Sequence, residues 1–136
     1  MDTPRPLIAI VDDEESVRRA FGRLMVSAGF RVTVFSCGTA FLASLLTDRP
    51  SCVVLDLHMP GLSGFDLQLQ LRDSPQPPPV VIITGHDTPE AQKRALAAGA
   101  VAYLRKPVDD QVLLDAVARA IASDGKGVSN AEKHPS

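Results

Sequence analysis

The sequence predicts a doubly wound α/β domain, a five-stranded parallel sheet in the order 2-1-3-4-5 with helices on both faces. Two observations carry this. Short continuous apolar runs recur along the chain, and each is followed by a segment with helical periodicity. The runs do not alternate strictly between apolar and polar residues, which suits strands covered on both sides rather than half-exposed antiparallel ones. Five such β-α units, joined by right-handed crossovers, give an open sheet.

The first four runs are Leu7 to Val11, Val32 to Phe35, Cys52 to Leu55 and Val80 to Ile83; a weaker fifth covers Val101 to Leu104. Val17, Phe21, Leu24, Met25 and Ala28 recur at three- and four-residue steps after Glu14, and Gly29 follows as a helix stop. Phe41, Leu42, Leu45 and Leu46 predict a second helix ending before Pro50, and Phe65, Leu67, Leu69 and Leu71 a third, from Gly64 to Asp73. A fourth opens near Pro89, with Ala91, Ala95, Leu96 and Ala98 before Gly99. The fifth carries Val112, Leu113, Ala116, Val117, Ala120 and Ile121, with Asp109 or Asp110 as its N-cap. The domain is expected to span 1–123, and 124–136, without periodicity, to form a disordered tail or a truncated linker.

Length and composition narrow the function. At 136 residues the chain is sized for one core. Its formal charge of −2 supplies no basic field for gripping nucleic acid or anionic lipid. No apolar run reaches the roughly 20 residues of a membrane span, so a cytoplasmic address is expected. Cys37 and Cys52 form no C-x-x-C pair and are read as core fillers.

In such a sheet ligands bind beyond the carboxyl ends of the strands, where strand order reverses. The first strand runs into Asp12, Asp13 and Glu14, and the third into Asp56. An acid after a strand is usually the N-cap of the next helix. Several sharing one crevice repel one another, which a cation relieves, and oxygen-only ligands select Mg²⁺ or a similarly hard ion. The fourth strand ends with Thr84 and Gly85, and the fifth with Lys106 and Pro107. Alone these would be a strand-closing hydroxyl and a solvated loop charge. Together with the acids they make a set suited to phosphoryl transfer, with a carboxylate as nucleophile.

These residues, with the loop Met59-Pro60-Gly61-Leu62-Ser63-Gly64, resemble the receiver domains of response regulators of bacterial two-component systems. Thr84-Gly85-His86 and Ala98-Gly99-Ala100-Val101 are most similar to the receivers of nitrogen-fixation type regulators, which commonly carry a C-terminal DNA-binding domain. The resemblance covers about Leu7 to Ala122 and implies a flavodoxin-like (βα)5 receiver fold. It implies that Asp56 is the phosphoacceptor and that the Mg²⁺ site is made by Asp13, the principal side-chain ligand, Asp56, the backbone carbonyl of His58, and Asp12 through a metal-bound water. Thr84 and Lys106 would bind phosphoryl oxygens, Gly85 would leave room for the group to enter, and the Lys106–Pro107 bond would be cis. Thr84 and Tyr103 would form the switch pair, Tyr103 resting in outward positions. His58 and His86, two residues beyond Asp56 and Thr84, would tune phosphate lifetime. The implied partners are a sensor histidine kinase or histidine phosphotransfer protein, and a second copy docked through the fourth helix, fifth strand and fifth helix. Neither nucleic acid nor membrane is expected as a partner. The domain would be a switch that catalyses only its own phosphorylation and dephosphorylation.

Three other readings fit less well. A phosphohydrolase of the haloacid dehalogenase type needs an Asp-x-Asp pattern after the first strand, where adjacent Asp12 and Asp13 stand. A flavin-binding module needs a Ser/Thr/Gly-rich phosphate cradle there, and the acids would repel phosphate. A receiver-like domain that never takes phosphate would not need all five expected side chains, which are present.

Overall fold

The computed structural model describes residues 5–133, with side chains described as far as Asp124. Strands β1 (Leu7–Val11), β2 (Arg31–Phe35), β3 (Cys52–Asp56), β4 (Val80–Thr84) and β5 (Ala102–Arg105) alternate with helices α1 (Glu15–Ser27), α2 (Gly38–Ser44), α3 (Gly64–Arg72), α4 (Pro89–Ala97) and α5 (Asp110–Lys133). All neighbouring strands are parallel, in the order β2-β1-β3-β4-β5. The predicted order is the observed one.

The unbroken apolar runs have a direct cause, since every residue of β1, β3 and β4 is buried. Successive side chains point to opposite faces. Ile8, Ile10, Val54, Val81 and Ile83 face Met25 of α1 and Leu113, Ala116, Val117 and Ala120 of α5. Ala9, Val11, Val53, Leu55 and Ile82 face Phe41, Leu67, Leu71 and Ala95 of α2, α3 and α4. Each fully buried aliphatic side chain contributes about 1.5–3 kcal/mol, so both layers hold the central strands, and therefore their carboxyl ends, in fixed register.

Helix ends follow local chemistry. Gly29 and Gly99, at φ 94° and 102°, turn the chain out of α1 and α4 in a region that disfavours other residues. Ser63 and Thr88 cap α3 and α4 through their hydroxyls. Of the two acids before α5, Asp109 is the cap, its carboxylate accepting from the N–H groups of Gln111 and Val112.

Four expectations need correction. The second helix ends at Ser44, because Leu45, Leu46 and Thr47 bond back three residues rather than four. That tighter winding turns Leu46 outward, and it is 88% exposed. In α3, Leu69 is partly exposed and Gln68 buried, since residues spaced by two cannot share a helix face. Cys37 is exposed at the start of α2, so only Cys52 fills the core. The sequence loses its periodicity after Ser123, yet Asp124 still belongs to α5, and its carboxylate meets the Arg49 guanidinium at 3.0 Å. Residues 1–4 and 134–136, and the side chains of 125–133, lie outside the described residues, and most of the expected tail falls there.

Candidate functional site

β1 and β3 are adjacent, with Val11 opposite Leu55, but the helices that follow them pack on opposite faces. A crevice therefore opens where the two strands end. Asp12 and Asp13 leave β1 into it, and Asp56 is the last residue of β3. One carboxylate oxygen from each of the three lies within 4.8 Å of the others. Asp12 and Asp56 are buried and Asp13 is exposed.

Lys106 enters directly after β5, just before its cis bond to Pro107. Its Nζ lies 2.9 Å from Asp12 Oδ2, 2.9 Å from Glu14 Oε1 and 3.7 Å from Asp56 Oδ2. Burial pulls its pKa down, but the hydrogen bond to Glu14 and the charges of Asp12 and Asp56 outweigh burial and push it up to about 12. The same ammonium holds the Glu14 carboxyl below its usual range.

The crevice keeps an electrostatic deficit. Asp56 Oδ1 accepts from the His58 backbone N–H at 3.2 Å, and Asp12 Oδ1 from that of Glu14 at 2.9 Å. Asp12 Oδ2, although close to Lys106, has no aligned hydrogen-bond donor among the described residues. Burial first, and the Asp12 charge second, push the Asp56 carboxyl up to about 6 against the opposing pull of His58 N–H and Lys106. Three carboxylates whose oxygens gather within 4.8 Å of one another fit a hard divalent cation such as Mg²⁺, which Asp12, Asp13 and Asp56 would hold.

Thr84 closes β4, buried, its Oγ1 accepting from the His86 backbone N–H at 3.0 Å. The imidazole of His58 turns toward that of His86, edge to face, with ring centroids 4.7 Å apart. Gly85 is exposed, and a Cβ there would meet only Lys106 Cδ, at 3.9 Å.

The sequence reading gave too little weight to Gly64. A Cβ there would come within 2.5 Å of Asp56 O and Leu57 Cα, so only glycine lets the start of α3 pack on the end of β3. Its N–H donates to Leu57 O at 3.0 Å and pins the 59–64 loop beside Asp56. The signal was the Ser63-Gly64 pair, a hydroxyl cap followed by a residue with no side chain.

Tyr103, on β5, departs from the expected outward rest position. Its half-buried ring packs on the layer that holds α4, and its hydroxyl is shielded without a hydrogen-bond partner among the described residues. Burial, then the nearby Asp87 carboxylate, raise its pKa to about 12. The ring is the apolar contribution of β5 to this layer, since Ala102 and Leu104 pack on the opposite one. A separate cleft of about 750 Å³ opens at the other end of the sheet, among Gln68, Leu71, Pro79, Val80 and Ala98, and none of the crevice acids lines it.

Carboxylates after β1 and on β3, a hydroxyl on β4 and an ammonium after β5 define a doubly wound α/β domain with an acidic, lysine-bridged crevice at its switch point. Residues 8–118 match the response regulator receiver domain family, and the chain belongs to it. It is 40% identical over 122 residues to nodulation protein W of Bradyrhizobium diazoefficiens, covering 90% of this chain and 54% of that protein. It is 38% identical over 113 residues to transcriptional regulatory protein FixJ of Rhizobium meliloti, covering 83% and 55%. The chain thus spans about half the length of the curated relatives it matches. A response regulator receiver protein from Burkholderia phymatum superposes with a TM-score of 0.78 at 40% identity, over 87% of this chain and 96% of that one. Among the described residues no helix is long and apolar enough to cross a membrane.

Proposed function

We propose that this receiver domain takes a phosphoryl group onto Asp56 from a sensor histidine kinase or histidine phosphotransfer protein, and that the phosphorylated form is a signalling state. The observation that carries the reading is the gathering of Asp12, Asp13 and Asp56 oxygens within 4.8 Å, with Lys106 Nζ 3.7 Å from Asp56.

An Asp56 carboxylate oxygen attacks phosphorus, the P–N bond of the donor phosphohistidine breaks as the P–O bond forms, and the freed imidazole takes a proton from solvent. Asp12, Asp13, Asp56 and the His58 carbonyl would hold Mg²⁺, which would supply positive charge against the transferring group. Lys106 pairs with one phosphoryl oxygen, and the Thr84 hydroxyl donates to another. Hydrolysis follows when water attacks phosphorus and Asp56 leaves as carboxylate. The side chains of His58 and His86 flank that approach and set the lifetime of the phosphate.

The domain is a switch rather than a turnover enzyme. Its output passes through the face of α4, β5 and α5, to a partner protein or a second copy. It makes no direct contact with nucleic acid or membrane, and such a relay operates in the cytoplasm. Intact mass after treatment with acetyl phosphate and Mg²⁺ tests the reading. One acid-stable, base-labile phosphoryl group is expected on the wild type and none on Asp56→Asn; equal labelling of both would overturn it.

A further inference from the structure

We infer that Glu14 is a positioning residue for phosphoryl transfer: its carboxylate holds the Lys106 ammonium on the β1 side of the crevice, off Asp56, and so sets how readily Lys106 engages the incoming phosphoryl group. The inference rests on Asp56 being the phosphoacceptor.

The ammonium is shared unequally among the acids around it. Its Nζ lies 2.9 Å from Glu14 Oε1 and 2.9 Å from Asp12 Oδ2, but 3.7 Å from Asp56 Oδ2. Only the Glu14 contact is an aligned hydrogen bond, since Asp12 Oδ2 has no partner of that kind among the described residues. Glu14 therefore holds the lysine by charge and by direction, and the phosphoacceptor is the farthest of the three. Charge-assisted N–H···O bonds run to about 2.7–2.9 Å, so the lysine stops roughly an ångström short of Asp56.

Local structure leaves the Glu14 side chain free for this task. Glu14 stands at the N-cap position of α1, yet its carboxylate makes no capping bond, and its own N–H is held by Asp12 Oδ1 at 2.9 Å. Lys106 is likewise fixed at the backbone, its N–H donating to Thr84 O at 2.8 Å. With both main chains anchored, the ammonium moves by side-chain torsions alone. The Glu14 side chain is 57% exposed and that of Lys106 17%, so water competes at one end of the pair and release is cheap. Such a hold biases a flexible lysine without trapping it.

Glu14 also stands outside the group of acids suited to a cation, which is Asp12, Asp13 and Asp56. A divalent ion among those three would offset the two acids that compete with Glu14 for the ammonium, and would itself repel Lys106. Glu14 is then the anion left to hold the lysine. To reach a phosphoryl oxygen, Lys106 has to exchange Glu14 for it, and the strength of the Glu14 contact opposes the transfer.

The test is the rate of acetyl phosphate labelling in Mg²⁺, read by intact mass, in wild type, Glu14→Gln, Glu14→Asp and Glu15→Gln. Glu14→Gln should label about threefold faster or more, the range that an exposed ion pair supports. Glu14→Asp keeps the charge but is one methylene shorter, so it loses the contact and should also label faster. Glu15→Gln removes an exposed charge that pairs with Arg19, not Lys106, and should label like wild type. Glu14→Gln no faster than wild type would overturn the inference. So would a Glu14→Asp that labels like wild type beside a faster Glu14→Gln, because charge alone would then explain the gain. Absence of labelling in wild type would count against the phosphoacceptor reading. The contact is judged apart from that reading by thermal melts, without Mg²⁺, of Glu14→Gln, Lys106→Met and the double variant. The double variant should be no less stable than Lys106→Met, and losses that simply add would show that Glu14 does not hold Lys106.

Discussion

Lys106 Nζ, after β5, lies 2.9 Å from Asp12 Oδ2, after β1, so the ends of a central and an edge strand are tied across the crevice. The ammonium does there part of what a divalent cation would do. Its pKa, near 12, lies above the ordinary 10.5. A raised lysine stabilises the fold fully below its unfolded value and loses that contribution only as pH rises through the folded one, so at pH 7 it is complete.

Lys106→Met should therefore destabilise the metal-free protein by on the order of 1–2 kcal/mol at pH 7, discounted for partial exposure. Mg²⁺ should raise the melting temperature of this variant more than that of wild type, because more repulsion is left to relieve. Asp13→Asn should lose most of the Mg²⁺ gain instead. Thermal melts with and without Mg²⁺ check both, and equal gains in all three proteins would refute the division of labour.

Asp56 gives a pH dependence of the opposite sign. Its folded pKa, about 6, lies above the ordinary 3.8, so ionisation costs more in the folded chain than in the unfolded one. The penalty is absent below the unfolded value, grows as pH climbs, and is complete above the folded one. Without divalent ions, Asp56→Asn should be more stable than wild type at pH 8 by on the order of 2 kcal/mol. The advantage should shrink below about pH 6 and vanish near pH 4. Urea melts across that range decide it; a difference independent of pH would mean that charge at Asp56 is not the cause.

Gln68 makes a separate case. Buried in α3, it donates from Nε2 to Ala95 O at 2.7 Å and so ties α3 to the last turn of α4, while its Oε1 has no partner among the described residues. Gln68→Ala should cost about 1–3 kcal/mol by leaving a cavity and removing a donor. Gln68→Leu fills the space and removes the orphaned oxygen as well, and should cost less. Denaturant melts rank the two, and since both lose the donor, a leucine variant weaker than the alanine one would show that leucine does not fit the space.

The sheet was legible because β1, β3 and β4 are buried on both faces and so must be apolar throughout. The acids, Thr84 and Lys106 were legible because each stands directly at a strand end. Gln68 was not, since a buried amide differs from a solvated one only through the neighbour it meets, here a carbonyl 27 residues away. Gly64 was quoted within its loop, but its 2.5 Å approach to the β3 backbone depends on how α3 leans on the sheet. The His58–His86 contact joins two loops whose separation no local pattern encodes.

Tyr103 reports on the switch, because the chain has one tyrosine and no tryptophan, so its ultraviolet emission arises from this ring. The ring is half-buried against the α4 layer with its hydroxyl shielded near the Asp87 carboxylate, and phosphate on Asp56 is expected to hold it there more firmly. In the resting state Thr84 Oγ1 is engaged by the His86 N–H. When Asp56 carries phosphate, the Thr84 hydroxyl should turn toward its oxygens, draw the loop beyond β4 with it, and favour the inward ring. Phosphate can shift this equilibrium only through its differential interaction with the two states, and Thr84 is the side chain that supplies it. Beryllofluoride with Mg²⁺ should accordingly reduce acrylamide quenching of Tyr103 in wild type and alter it far less in Thr84→Ala, with analogue binding confirmed independently in both. If both proteins bind the analogue and their quenching falls equally, Thr84 does not couple the phosphate to Tyr103, whatever residue accepts the phosphate.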